Sequence, residues 1–220
     1  MSIEDHRDAA VRVRAPASYL WLRDRVAPYI ALCALALFAP LMLWIAWRIR
    51  RDSPGPALFR QTRAGLHGRP FTFYKFRSMR TDVDPFGDSP SDADDPRITR
   101  LGRWLRETSL DELPQLFNVV RGEMTLVGPR PLFVQQIREW NDRQRCRLLV
   151  KPGLTGFSQI HGRASIPIEE KLEWDIRYVE SVCLKTDLWV LWRTLRSVRD
   201  KEGLYQTEYS RQRARFRPAK

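Results

Sequence analysis

Ser109–Arg130, SLDELPQLFNVVRGEMTLVGPR, is the stretch on which the reading of the chain depends. It opens on adjacent acids, Asp111 and Glu112, and closes on a Gly128-Pro129-Arg130 turn. Between them Leu113, Leu116, Phe117 and Val120 recur at i, i+3, i+4 and i+7, the spacing of a short amphipathic helix. Ser109-x-x-Glu112 fits a capping box, and acids at a helix start are favoured by its dipole. Pro114 argues against that cap. It would fall in the second turn, where its missing N–H costs a hydrogen bond. Placing the cap at Asp111 puts Pro114 in the first turn and ties the Asp111 carboxylate to backbone N–H groups, which favours its ionised form. An ionised aspartate among arginines is a nucleophile suited to phosphorus, with cations to offset the repulsion between anions. By physics alone, a helix start is the commoner use of such a pair.

The 220 residues suit one moderate domain with appendages. The net charge of +12 and a pI of about 10.2 direct the chain to anionic partners: phosphates, nucleic acid or acidic lipid. Eight tryptophans suit surfaces with one wet and one apolar side. Cys33, Cys146 and Cys183 have no metal or disulfide spacing and read as small buried apolar residues in a reducing compartment.

Working outward, residues 1–25 read as a loose basic lead-in. Val26–Trp47 carries no charge and is long enough to span a bilayer. Pro40 interrupts it, and arginines flank both ends: Arg23 and Arg25, then Arg48, Arg50 and Arg51. A spanning helix concentrates its cations on one side. Balanced flanks predict a segment over residues 26–50 that enters one leaflet, breaks at Ala39-Pro40 and returns. The alternative is a proline-kinked single span.

Residues 51–200 form the expected catalytic domain. Leu58–Arg63 and Phe71–Phe76 predict a β-hairpin, with Phe71, Phe73 and Lys75 on one face. Lys75 and Arg77 leave it together, either as surface cations or as a phosphate-holding pair. The aspartate-rich run at residues 82–95 reads as a loop, in preference to a metal site at Asp92, Asp94 and Asp95. Arg97–Arg106 predicts a short basic helix that brings positive charge to the acids. Leu132–Leu149 and Ile168–Val179 predict helices. Lys151–Gly162 reads as glycine-rich turns, with Arg163 at their end. Leu188, Leu191, Trp192, Leu195 and Val198 form an apolar stripe that faces either the core or a membrane interface. Residues 201–220 read as a basic tail. The fold class is therefore α+β and mainly α: a re-entrant helix-break-helix, a hairpin and interfacial helices around a catalytic core.

Four features in this order resemble the bacterial sugar transferases, the monotopic phosphoglycosyl transferases. They are the proline-interrupted apolar segment, FTFYKFRSM at 71–79, SLDELPQLFNVVRGEMTLVGPRP, and KPGLTGFSQIHGR at 151–163. The resemblance implies transfer of a sugar phosphate from a UDP-sugar to polyprenyl phosphate, at the cytoplasmic face of the bacterial inner membrane, to begin a surface glycan. It implies Asp111 as nucleophile through a covalent phosphosugar, Glu112 as its partner, both as Mg²⁺ ligands, and a re-entrant membrane helix. Arg130, Lys75, Arg77 and Arg163 are the expected phosphate and nucleotide ligands, and no nucleic-acid partner is expected. Ala39-Pro40 replaces the family's usual Ser-Pro, His161 its usual Asn and Lys151 its usual Arg. The rival from another class is a basic membrane anchor without activity.

Overall fold

The computed structural model describes residues 11–84, 90, 92, 94–201, 203–205 and 207. The expected tail over residues 201–220 and the first ten residues of the lead-in fall mostly or wholly outside these.

The first element is α1, Ala17–Asp52, a helix of 36 residues. Residues 17–25, expected as lead-in, are its opening turns, because Pro16 sits at the N-cap position and Ala-Ser-Tyr-Leu continue without a breaker. Pro28 and Pro40 both lie inside it, so the helical assignment runs on through Ala39-Pro40 and any turn there is a bend within one helix. Each proline deletes one helical hydrogen bond and leaves the flanking bonds to carry the helix on. By length and composition α1 could cross a membrane, with a mean hydropathy of 2.3 in its most apolar window.

Its packing has two arms. Ala27 and Ala31 join Phe71, Phe73, Leu116, Val119 and Met124 in one apolar cluster. Met42, Ile45 and Ile49 join Ala57, Phe76 and Leu105 in another. Residues 36–40, between the arms, are exposed on every side. The stretch around Pro40 thus stands clear of the domain that both arms grip.

The hairpin forms as expected: β1, Leu58–Ala64, pairs antiparallel with β2, Pro70–Phe76. The basic helix α2, Arg100–Glu107, begins at Thr99, whose hydroxyl accepts from Gly102 N at 2.9 Å. A Cβ on Gly102 would strike the Ser78 backbone, so only glycine lets α2 lie against the end of the hairpin.

The central stretch divides into a 3-10 turn at Leu110–Glu112, α3 at Gln115–Val120, and β3 at Thr125–Val127. Ser109 is left-handed (φ 56°), and Pro114, rather than Asp111, stands at the start of α3. The expected Asp111 cap is therefore corrected. Leu116 and Val119 are buried, whereas Phe117 points outward.

The helix expected over Leu132–Leu149 is instead three short pieces. These are a 3-10 run at Val134–Glu139, α4 at Asp142–Arg145, and a 3-10 turn at Cys146–Leu149. Trp140 turns extended, and Asn141 starts a new helix by accepting from Gln144 N at 2.9 Å while Gln144 accepts from Asn141 N at 3.1 Å. That reciprocal cap competes with continuing the old helix.

β4, Gly153–Thr155, pairs parallel with β3. The short α5, Phe157–Ile160, then leads to α6, Ile168–Ser181, and α7, Leu184–Arg199. Val127, Val150, Ile160, Tyr178, Val179, Val182 and Val190 make the third apolar cluster. In α7 the stripe expected for core or interface faces outward: Leu188, Trp192 and Leu195 are all exposed. Its inward side carries Val190 with Asp187 and Ser197. The cysteines also depart from expectation. Cys33 and Cys183 are exposed and Cys146 is half-buried, Cys33 because it lies off the packed face of α1 and Cys183 because it stands at the start of α7.

Candidate active site

The Gly128-Pro129-Arg130 turn and the Lys151–Gly156 segment, distant in sequence, form one structure. Gly128 N donates to Thr155 O at 2.8 Å, and Gly153 N to Pro129 O at 3.0 Å. A Cβ on Gly153 would strike the Gly128 backbone, which is the physical demand behind the glycines. The result fixes where the Arg130 side chain begins.

From there Arg130 Nη2 donates to Glu112 Oε1 at 2.7 Å. Lys75, on the same hairpin face as Phe73, donates to that oxygen from the other side, also at 2.7 Å. Its Nζ is 3.6 Å from Asp111 Oδ2. These four groups line a cavity of about 1410 Å³, together with Arg63, Arg106, Ser109 and Arg163. Arg106 supplies the charge that the basic helix was expected to deliver.

The acids differ electrostatically. Arg130 and Lys75 hold Glu112 well below the usual carboxylate range against the cost of its burial. Burial pushes Asp111 up, opposed chiefly by Lys75 and reinforced by the charge of Glu112. Among the described residues, backbone N–H bonds, the expected means of ionising Asp111, are not among the main influences on it. Its ionisation depends on cations in the cavity.

Arg163 Nη2 reaches Ser109 Oγ at 3.3 Å, tying the end of the glycine-rich segment to the residue before the dyad. Both partners are left-handed, with φ 49° and 56°. Non-glycine residues in that region cluster at functional sites. Arg77 lines the same cavity but spends its donors elsewhere. Its guanidinium donates to the carbonyls of Pro54 (2.5 Å), Ser53 (2.7 Å) and Ile49 (3.3 Å), closing the C-terminal end of α1. The unsatisfied carbonyls of a helix end are a strong counter-claim on an arginine.

Behind Arg130 lies a second cluster. Arg147 and Asp175 are an almost fully buried ion pair at 2.6 Å, and Arg147 also donates to the Arg130 carbonyl. Sequence reasoning missed this pair, since a charged residue within an amphipathic helix ordinarily faces water. It also missed Lys171, one turn before Asp175, which lines the cavity and whose pKa burial and Arg130 lower to about 8.

Two of the three departures, Lys151 and His161, lie outside the cavity lining. Lys151 pairs with Asp24 of α1 at 3.4 Å, and His161 stacks on Trp174 at 3.7 Å between centroids. In the acidic loop Asp95 pairs with Arg97 and Asp94 with Arg103. Among the described residues no three His, Cys, Asp or Glu side chains gather as a metal site.

Two adjacent acids in a cavity lined by lysine and arginine are the apparatus of enzymes that handle phosphorylated substrates. The chain belongs to the bacterial sugar transferase family, which it matches over residues 20–201, and is accordingly a transferase. It is 41% identical over 188 residues to the uncharacterised sugar transferase EpsL of Bacillus subtilis, covering 86% of this chain and 91% of that protein. It is 42% identical over 197 residues to the UDP-glucose:undecaprenyl-phosphate glucose-1-phosphate transferase of Caulobacter vibrioides, covering 84% of this chain and 72% of that one. With the undecaprenyl-phosphate galactose phosphotransferase of Salmonella typhimurium the identity is 38% over 186 residues, and the match spans 78% of this chain but 39% of that longer protein.

Proposed function

We propose that the chain moves a sugar-1-phosphate from a UDP-sugar to polyprenyl phosphate in two displacements through Asp111. The observation that carries this reading is the Glu112 carboxylate gripped at 2.7 Å by both Lys75 and Arg130, beside a buried second acid in the same cavity. In the first displacement an Asp111 carboxylate oxygen attacks the phosphorus bearing the sugar. The bond from that phosphorus to the bridging oxygen breaks, and UMP leaves with the electron pair. In the second, a phosphate oxygen of the polyprenyl phosphate attacks the same phosphorus. The acyl-phosphate bond breaks and restores the carboxylate. Lys75 lies close enough to both acids to orient them and to offset charge as the phosphate arrives. Arg130 holds Glu112 and presents a planar guanidinium suited to phosphate oxygens.

The donor set fits Mg²⁺. That ion binds through one or two carboxylates and completes its shell with water and substrate phosphate, and Asp111 with Glu112 offers two hard oxygen donors side by side. When bound, Mg²⁺ neutralises phosphate charge and favours ionised carboxylates around it.

The two-armed packing of α1, the exposed residues 36–40 and the outward apolar face of α7 support a re-entrant segment in one leaflet with α7 in the interface. We place the cavity at the cytoplasmic face of the bacterial inner membrane, at the start of a surface glycan. The rival anchor has the +12 charge in its favour but no use for a buried dyad.

Incubating the purified chain with polyprenyl phosphate and a panel of UDP-sugars, with and without Mg²⁺, tests the reading. UMP release from one donor, abolished by EDTA and restored by Mg²⁺, is expected. No release from any donor would favour the anchor. Tags at the two termini are expected to be equally protected from periplasmic reagents. A periplasmic tag at one end would replace the re-entrant segment with a single span.

A further inference from the structure

The hairpin face that carries Lys75 also carries a cation with no carboxylate. Arg63 of β1 stands opposite Phe71 in the register, and Gln61 opposite Phe73. The Arg63 guanidinium lies 3.8 Å from the centre of the Phe133 ring and 5.7 Å from that of Phe73. Its Nη2 donates to Gln61 Oε1 at 2.6 Å. Its Nε is buried without a hydrogen-bond partner among the described residues, and no acid there pairs with it. Lys75 and Arg130, by contrast, close on Glu112, and Arg77 closes on the end of α1.

A half-buried cation whose Nε is shut from water, set against an amide and two rings, is costly, because ring faces offset part of its lost hydration and none of its charge. Burial and the neighbouring charge of Arg130 push the Arg63 pKa down to about 9, the direction expected of a cation short of an anion. Arg63, Gln61 and Phe133 all line the cavity. The stack on Phe133 holds the guanidinium plane in one orientation, so little freedom is lost when a ligand oxygen arrives.

We propose that Arg63, positioned by Gln61 and Phe133, is an anion subsite that binds phosphate oxygens of a substrate, distinct from the two cations on Glu112. That the anion is a substrate phosphate rests on the phosphosugar reading above; that Arg63 binds an anion does not. The phosphate could come from the nucleotide donor or from the lipid acceptor, and Arg63 recognises the chemistry common to both.

Titration calorimetry of the detergent-purified full chain with inorganic pyrophosphate tests the subsite directly. Arg63→Gln is expected to raise the pyrophosphate Kd roughly tenfold or more, the usual weight of a hydrogen bond to a charged group. Gln61→Glu, which sets a carboxylate against the guanidinium without moving Arg63, is expected to weaken binding similarly and answers the question if Arg63→Gln does not fold. An unchanged Kd in either variant, with the unfolding temperature retained, overturns the subsite. Steady-state arms then identify the source: a raised KM for UDP-sugar assigns the donor phosphate, and a raised KM for polyprenyl phosphate assigns the acceptor. Pyrophosphate binding that responds to Arg63 in a chain releasing no UMP would uphold the subsite and overturn only the phosphosugar reading.

Discussion

Arg130 stands between two carboxylate–arginine clusters of similar chemistry and opposite accessibility. On its side-chain end, Glu112 with Arg130 and Lys75 borders the cavity, each side chain between a fifth and a third exposed. On its backbone end, Arg147 and Asp175 are almost fully buried, at 2% and 1%, with Asp175 forming part of the cavity wall. The two buried partners are held on each other at 2.6 Å, and a buried ion pair is seldom a net source of stability over apolar packing. Its value here is directional, since it seats the Arg130 carbonyl. The cavity pair can lend its cations to an incoming phosphate, because solvent and ligand can reach them. On the proposed function, the contrast separates residues that would meet substrate from a residue pair that aims them.

The comparison breaks most visibly at the proposed nucleophile. Asp111→Asn should lower UMP release by about a thousandfold or more, as removal of a covalent nucleophile does. The melting temperature should stay close to wild type, because the amide replaces an acid that burial already disfavours as an anion. Parallel activity and thermal-unfolding measurements check both halves. In the buried cluster the expected loss is in stability instead. Arg147→Ala leaves Asp175 buried and uncompensated, at about 3–5 kcal/mol. The Arg147→Met, Asp175→Leu double variant should recover most of that stability while kcat stays low, because the Arg130 carbonyl has lost its donor. Full activity in that double variant would erase the distinction between the clusters. Arg130→Lys keeps the charge but loses the planar fork, and should cost about tenfold to a hundredfold in kcat/KM with little change in melting. The smallest effects are expected at the departures from the family pattern. Lys151→Arg and His161→Asn should leave kcat/KM within about twofold, since neither residue lines the cavity.

Which parts were legible in the sequence follows from how local their causes are. The hairpin, α2, α6 and the dyad declare themselves through alternation, periodicity and adjacency, and the structure keeps them. Lys75 and Arg130 were legible as candidates by their motifs, although nothing in the sequence says that they meet on one Glu112 oxygen. The hold of the α1 carbonyl end on the Arg77 guanidinium was not legible, because those carbonyls lie more than twenty residues away. The helix expected at Leu132–Leu149 failed through local grammar that could have been read: Asn141 and Gln144 form a reciprocal cap. Asp175, Arg147 and Arg63 left no such trace. Burial of a charge depends on what the tertiary fold packs around it, and single-sequence periodicity carries no record of that.

The break at Ala39-Pro40 teaches the same lesson from the other side. Proline lowers the strength of a helix at one bond, but 36 mostly apolar residues supply the rest, so the helix persists through it. What the proline region does is mark the stretch that leaves the domain, residues 36–40, between two arms that stay bound to it.

The central claim is that Asp111 becomes covalently linked to the sugar phosphate. Incubating the chain with a UDP-sugar labelled in the phosphate next to the sugar, without polyprenyl phosphate, and then denaturing it, reads that bond. The account predicts protein-bound label that maps to Asp111, is absent from Asp111→Asn, and is discharged when acceptor is added before denaturation. Label retained in Asp111→Asn, or a wild-type chain that turns over while never carrying label, would contradict it.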